Sequence, residues 1–325
     1  LTVPGVTIED WLDSGQCKDC FIPSFNYRPA GSAQYGLAIS NFDQGSAKRF
    51  NFGFIASSDN HRARPGTGYK EIDRFVTTEA NGPSNEIVAD ILYPMDEPVD
   101  RSIDLRAQPL LGLRAGFGAF EAEREASFFT TGGLAAVHSK ARDRNSIWEG
   151  LTKKETYGTS GDRILLWFDL IRENSIFPMG STTSQTQNPV FRVKAVGAFE
   201  QKPGCPDYSS TNITDEEIER ICKNECYNPS DKRKNISRIE VIKITPQKSP
   251  EESVDDLIFD VWKSFDCKPS QQGCQFEFTD DEFSKQSRDS IYYVRAIQEA
   301  SPVVNAGNLR CSYNEKGELS LIHIS

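Results

Sequence analysis

Hydrophobic residues are distributed in two textures along this chain. In the first half they come in blocks. Phe52–Ser57 reads FGFIAS and Gly132–Ser139 reads GGLAAVHS. A block without alternation predicts a strand covered on both faces. After the second block, Asp143 is placed to cap a helix whose Ile147, Trp148 and Leu151 share one face and which ends near Glu155. Strand, helix and strand in this order predict βα units of a parallel sheet or barrel. Shorter helices are predicted near Ala33–Asn41 and around Phe117–Ser127, with NGPSNE and YPMDEPVD as loops between them.

From about Arg163 the texture changes. ILLWFDLI, VFRVKAVGAF, RIEVIKI, CQFEF and SIYYVRAI read as strands, and several alternate polar with apolar residues. One helix, Asp215–Glu225, interrupts them. This half predicts a mostly antiparallel β domain, with the boundary at Tyr157–Asp162. The expected organisation is therefore 1–160, 161–318 and a short tail, 319–325. The tail reads LSLIHIS, which one set of codons would make a translated sequencing adapter. On that reading the coding DNA carries those codons and His323 is not native.

Composition narrows the class. The chain has 325 residues, 37% of them hydrophobic and 26% charged, with a net charge of −10. That supports packed cores and argues against a nucleic-acid partner, which needs a basic face. The longest compact apolar stretch, Ile164–Phe168, is far short of the roughly 20 residues of a membrane span. Eight cysteines stand at 17, 20, 205, 222, 226, 267, 274 and 311. Cys17 and Cys20 have zinc-ligand spacing, but no second close pair stands beside them. Disulfides in an oxidising compartment are the preferred reading, which places the protein in the secreted or periplasmic class. Sequons at Asn212 and Asn235 are compatible with export.

The candidate chemistry sits after the first block, in Asp59-Asn60-His61. Residues i and i+2 of a strand point to the same face, so Asp59 and His61 are expected to project together from the strand's C-terminal end. That is where α/β sheets bind ligands. A carboxylate oxygen with an imidazole nitrogen suits a divalent transition metal such as zinc, manganese or iron. Arg62, Arg64 and Lys70 follow on a loop and are candidates to bind a small-molecule, anionic substrate such as a phosphate ester. His138 also ends an apolar block, but a histidine there is more often hydrogen-bonded in or beside the core.

GFIASSDNH, RPGTGYKE and GGLAAVHSKARDRNSIWEGLTKKETYGTSGDRILLWFDL together resemble the domain-of-unknown-function 3604 family, with ISRIEVIKI and DSIYYVRAIQE similar to its later part. The likeness covers most of residues 50–310. That family looks like a branch of the polymerase-and-histidinol-phosphatase (PHP) superfamily of metal-dependent hydrolases. The resemblance implies a fold of class α/β: the C-terminal part of a PHP-like (β/α) barrel followed by the antiparallel β domain. It implies Asp59 and His61 as the last D-x-H ligand pair, and metal-assisted hydrolysis, by superfamily analogy of a phosphoester. The superfamily's early H-x-H pair is absent, because no histidine precedes His61. The chain therefore reads as a fragment, inactive alone. The rival expectation is a disulfide-rich secreted binding protein in which the barrel remnant is scaffold.

Overall fold

The computed structural model describes residues 32–57 and 133–299, except 44, 46, 174, 212 and 223, together with the paired strands 312–313 and 319–320. The first element is helix α1, Ala33–Ala38, started by Ser32, whose hydroxyl accepts from the Tyr35 N–H. A small ladder follows, β1 (Ser40–Asn41) with β2 (Lys48–Arg49). Next come β3 (Leu134–Val137), α2 (Arg144–Thr152) and β4 (Thr156–Thr159). The remaining chain is strand-rich: β5 (Leu165–Arg172), β6 (Ser175–Pro178), β7 (Val190–Val196) and β8 (Phe199–Gln201). Helix α3 (Asp215–Cys222) precedes β9 (Pro229–Arg233) and β10 (Ile236–Ile244). β11 (Ile258–Asp266), β12 (Cys274–Thr279) and β13 (Ile291–Gln298) complete the sheets, and β14 (Ser312–Tyr313) pairs with β15 (Leu319–Ser320).

Two antiparallel sheets carry the core. One has the order β11-β10-β13, the other β12-β7-β5-β6. Strand β10 is the centre. From Ile239 to Ile244 every residue is buried. The period-2 rule then sorts its side chains. Ile239 and Val241 face the second sheet and pack with Leu166, Phe168, Phe191 and Phe278. Ile242 and Ile244 face the other way, against Leu37 and Ala38 of α1. The register shift between Ile236 and Arg238 returns Ile236 to the first cluster. The layers are therefore helix, sheet and sheet.

The second sheet shows the alternation its sequence predicts. In β7, Phe191, Val193 and Ala195 are buried while Lys194 is exposed. On the outer face Arg192 pairs with its register partner Glu277 at 2.7 Å, and Lys194 lies over the ring of its partner Trp167. Inside, Phe168 stacks on Phe191 and Phe278 lies tilted against it, at centroid distances of 5.4 and 5.3 Å.

One ion pair is locked into this interior. Lys243 shares the face of Val241, so its ammonium points towards the second sheet, where Asp280 follows β12. The Nζ–Oδ2 distance is 2.5 Å, and the side chains are 5% and 1% exposed. The Tyr292 hydroxyl donates to the same oxygen at 2.6 Å. Burial opposes ionisation of Asp280, but the bonds from Lys243 and Tyr292 outweigh it and hold the carboxyl below its usual range. Near the surface, Arg288 grips Glu252 with two bonds of 2.8 Å, and the Lys248 N–H adds a third at 2.7 Å. These hold the Glu252 carboxyl down at about 2.

Among the described residues two disulfides tie loops to the sheets. Cys267–Cys274 joins the end of β11 to the start of β12, hence one sheet to the other, across 7 residues. Cys205–Cys226 closes the excursion that carries α3 between β8 and β9.

The barrel expected for 1–160 is corrected by this fold. Among the described residues the structure is mostly β-sheet with few helices, every strand pairing is antiparallel, and no barrel closes. β3 and β4 pair antiparallel, Leu134 with Thr159 and Val137 with Thr156, so the strand–helix–strand run returns alongside itself and makes no parallel crossover. The reason lies in α2. It packs back on β3 so closely that a Cβ at Gly150 would meet the His138 carbonyl at 2.4 Å. Phe52–Ser57 is a second correction, because residues 51–57 form no strand ladder and Ile55 is 72% exposed. The helix expected around Phe117–Ser127 lies outside the described residues.

Ile239→Ala is expected to cost about 3 kcal/mol in urea denaturation, because the cavity opens between two sheets that cannot close on it. Ile176→Ala, on the exposed edge strand β6, should stay within about 0.5 kcal/mol. Acid sensitivity follows from the depressed carboxyls of Asp280 and Glu252. Each binds its proton more weakly folded than unfolded, so the stability it contributes is complete above the ordinary carboxylate value and is lost as pH falls through the folded one. For Glu252 that window runs from 4.5 down to about 2. Melting temperatures followed from pH 6 to pH 2 should fall less steeply in Glu252→Gln than in wild type; an identical slope contradicts the assignment.

Candidate functional site

The described residues enclose a cleft of about 740 Å³ between the segment after β2, the end of α2, the loop after β6 and the β13 edge of the core. Lys154 stands in it. How the sequence puts it there is a matter of helix termination. α2 begins at Asp143, whose carboxylate accepts from the Ser146 N–H and hydroxyl; these bonds keep its carboxyl below the ordinary value. The helix ends with the Glu155 N–H bonded to the Gly150 carbonyl and the Lys154 N–H to that of Leu151, both at 3.0 Å. This double bond pattern requires a left-handed residue between, and glycine normally supplies it. Here Lys154 does, at φ 61. A side chain at that angle costs on the order of 1 kcal/mol relative to glycine.

Two neighbouring segments fit closely around it. Gly53 lets the chain at 51–54 cross the Lys154 side chain, because a Cβ there would meet Lys154 Cβ at 2.9 Å. Gly180, at φ 87, brings the loop after β6 against the Lys153 and Lys154 carbonyls, at 2.3 and 2.5 Å from a would-be Cβ. The Lys154 ammonium donates to the Asn51 side-chain oxygen at 2.6 Å, a neutral partner. Arg49 also lines the cleft, but it is paired with Asp289 at 2.6 Å. Lys154 therefore gives the cleft a positive charge for which the structure shows an amide rather than a carboxylate.

The walls combine rings and hydroxyls. Phe50, Phe52 and Phe54 recur at i, i+2 and i+4 and form a chain of ring contacts that continues to Tyr293. Phe50 is 63% exposed and Phe52 39%. Opposite them runs the loop Ser181–Gln185. Arg172, at the end of β5, fixes it with bonds to the Thr183 hydroxyl, the Ser184 carbonyl and the Gln185 side chain, at 2.8–3.2 Å. An apolar body with an anionic end is the ligand chemistry such walls accommodate.

Of the site residues expected from sequence, Asp59, His61, Arg62, Arg64 and Lys70 lie outside the described residues. The structure describes the approach to them as far as Ser57. That segment lies against the β3–β4 pair: Thr156 donates to the Phe54 carbonyl at 2.8 Å, and Gly133 donates to the Ser57 carbonyl at 3.1 Å. Gly158 and Gly133 permit the close approach, their would-be Cβ atoms each lying 2.8 Å from Ala56 or Ser57. His138 stands at the far end of β3, roughly 16 Å of strand rise from Gly133. Its Nε2 lies 2.9 Å from the Leu166 carbonyl, so that nitrogen is the donor. Its ring packs near Tyr157 and Trp167. His138 is a hydrogen-bonded histidine beside the core, as its sequence context predicts. Nearby, burial pushes the Asp169 carboxyl up, against the pull of Arg192 and His138.

Sequence reasoning missed Lys154. Its signal is visible in retrospect: a helix ending LTKKETYG has no glycine at the turn, so one lysine has to take the left-handed position. The convergence of potential metal ligands among the described residues is of sulfur, at Cys205, Cys222 and Cys226.

No curated protein and no solved structure matches this chain. Residues 27–169 match the family described as "Protein of unknown function (DUF3604)". The matched span starts earlier than the motifs quoted above and ends sooner, at Asp169. It includes Arg49, the phenylalanine chain and Lys154, whereas Ser181–Gln185 and Tyr293 come from beyond it. Over residues 27–169 the chain is similar to the DUF3604 family.

Proposed function

We propose that this chain binds a small anionic molecule with an apolar body in the cleft around Lys154, as part of an exported protein. The observation that carries the reading is Lys154 itself. A lysine in a backbone position that favours glycine lowers stability, and its ammonium faces a cleft walled by exposed phenylalanines. Backbone strain of this kind gathers at functional positions. Two disulfides, and the absence among the described residues of any helix long and apolar enough to cross a membrane, are compatible with an extracellular location.

A second reading is favoured by the way Ser57 is pinned at Gly133, two residues before Asp59. The described chain thus reaches a hydrogen-bonded Ser57 shortly before the D-x-H motif in sequence. On this reading Asp59 and His61 hold a divalent metal that serves hydrolysis of the anion, with Arg62, Arg64 and Lys70 near its charge.

Phenyl phosphate separates the first reading from its failure. Calorimetric titration should show wild type binding it more tightly than benzyl alcohol, with Lys154→Met weakening phenyl phosphate about tenfold and leaving benzyl alcohol unchanged. Equal affinity in wild type and variant refutes the cleft. Lys154→Gly should lose the same affinity while gaining about 1 kcal/mol of stability, which distinguishes lost charge from lost fold. The metal reading has its own test. Elemental analysis of purified chain should show a transition metal that Asp59→Ala, His61→Ala lacks, with phenyl phosphate affinity retained; unchanged metal content refutes it.

A further inference from the structure

We propose that the ligand of the Lys154 cleft is a monocarboxylate with an apolar body, which the cleft selects over a phosphate dianion. This preference rests on the anion-binding reading of the same cleft. Charge along the lining sets it. Among the described residues of the lining, Arg49, Lys154 and Asp289 carry charge. Arg49 and Asp289 meet at 2.6 Å and cancel. Burial holds the Tyr292 and Tyr293 hydroxyls above the ordinary tyrosine value, so neither adds a charge at neutral pH. The lining is left with the single positive charge of Lys154.

One negative charge on a ligand neutralises it. A second finds no further cation in the lining. It enters a cleft that already holds the Asp289 carboxylate, on a chain of net charge −10. A charge brought among aromatic walls without a partner is costly.

The donors point the same way. An ammonium has three N–H groups. Asn51 takes one at 2.6 Å, and among the described residues two remain for a ligand. Two donors match the two oxygens of a carboxylate. A phosphate dianion is met best by the fork of a guanidinium. The guanidinium of this lining, on Arg49, is engaged by Asp289. Apolar surface lies close by. Phe177, Pro178 and Met179 line the cleft and lead into Gly180, whose would-be Cβ lies 2.5 Å from the Lys154 carbonyl.

Calorimetric titration of the full chain at low ionic strength, where charge is least screened, tests the preference. Phenylacetate and phenyl phosphate carry the same ring. At pH 7.5 the first has one negative charge and the second close to two, because a phosphate monoester loses its second proton near pH 6. Wild type should bind phenylacetate at least about threefold more tightly than phenyl phosphate at that pH. At pH 5 phenyl phosphate is mostly a monoanion and should bind about threefold more tightly than at pH 7.5, while phenylacetate changes less than about twofold. Asp289→Asn adds one positive charge to the lining and should bring phenyl phosphate ahead at pH 7.5. Phenyl phosphate binding wild type as tightly as phenylacetate at pH 7.5, and weakened by Lys154→Met, overturns the carboxylate preference while the cleft stands. An unchanged order in Asp289→Asn overturns the preference as well. Phenylacetate affinity unaffected by Lys154→Met, or no binding of either ligand, overturns the cleft and the preference with it.

Discussion

A strand buried on both faces is the constraint from which the rest of this structure follows. Ile239, Val241, Ile242 and Ile244 are completely buried, two towards the aromatic sheet and two towards α1. Placing Lys243 in the same run is costly unless its charge is met. Asp280 meets it, from a loop that belongs to the opposite sheet. Removing one partner of such a pair typically costs about 3–5 kcal/mol, because the other is left charged and dry. The pair therefore fixes which edge of the second sheet faces β10. Tyr292 hydrogen-bonds to the same carboxylate and also lines the cleft, so the core and the cleft wall share an interaction.

The cleft is built from close approaches more than from rigid walls of its own. Gly53 and Gly180 allow two separate segments to reach the end of α2, and Arg172 fixes the hydroxyl loop from β5. Lys154 is held among them by the termination of its own helix. A helix ending without glycine thus places an ammonium at the mouth of an aromatic cleft.

Much of the sheet architecture was legible in the sequence. VFRVKAV alternates because one face of β7 is solvated, and it was read correctly for that reason. RIEVIKI gave β10 its position, although nothing in the pattern distinguishes a strand that two layers cover. Asp143 announced α2 because an unsatisfied helix start selects a carboxylate. The parallel barrel was misread from strand–helix–strand order, which fits an antiparallel return equally well. Only the closeness allowed by Gly150 decides between them, and that is a tertiary fact. FGFIAS read as a buried strand because its residues are apolar, yet two of its hydrophobic side chains stand exposed, Phe52 lining the cleft and Ile55 apart from it. Residue type alone does not separate a core ring from a ring that lines a site. Asp59 and His61 were legible as a candidate D-x-H motif, but they lie outside the described residues.

Native-state hydrogen exchange tests the central claim most directly. If β10 is the element on which both layers close, the amides of Ile239, Val241 and Ile242 exchange only through global unfolding, with protection equal to the full stability of the protein. The amides of Ser175, Ile176 and Phe177 on the edge strand then exchange much faster, through local opening. Protection at β10 no greater than at that edge would contradict the account, because the strand would not be the common wall of the two cores.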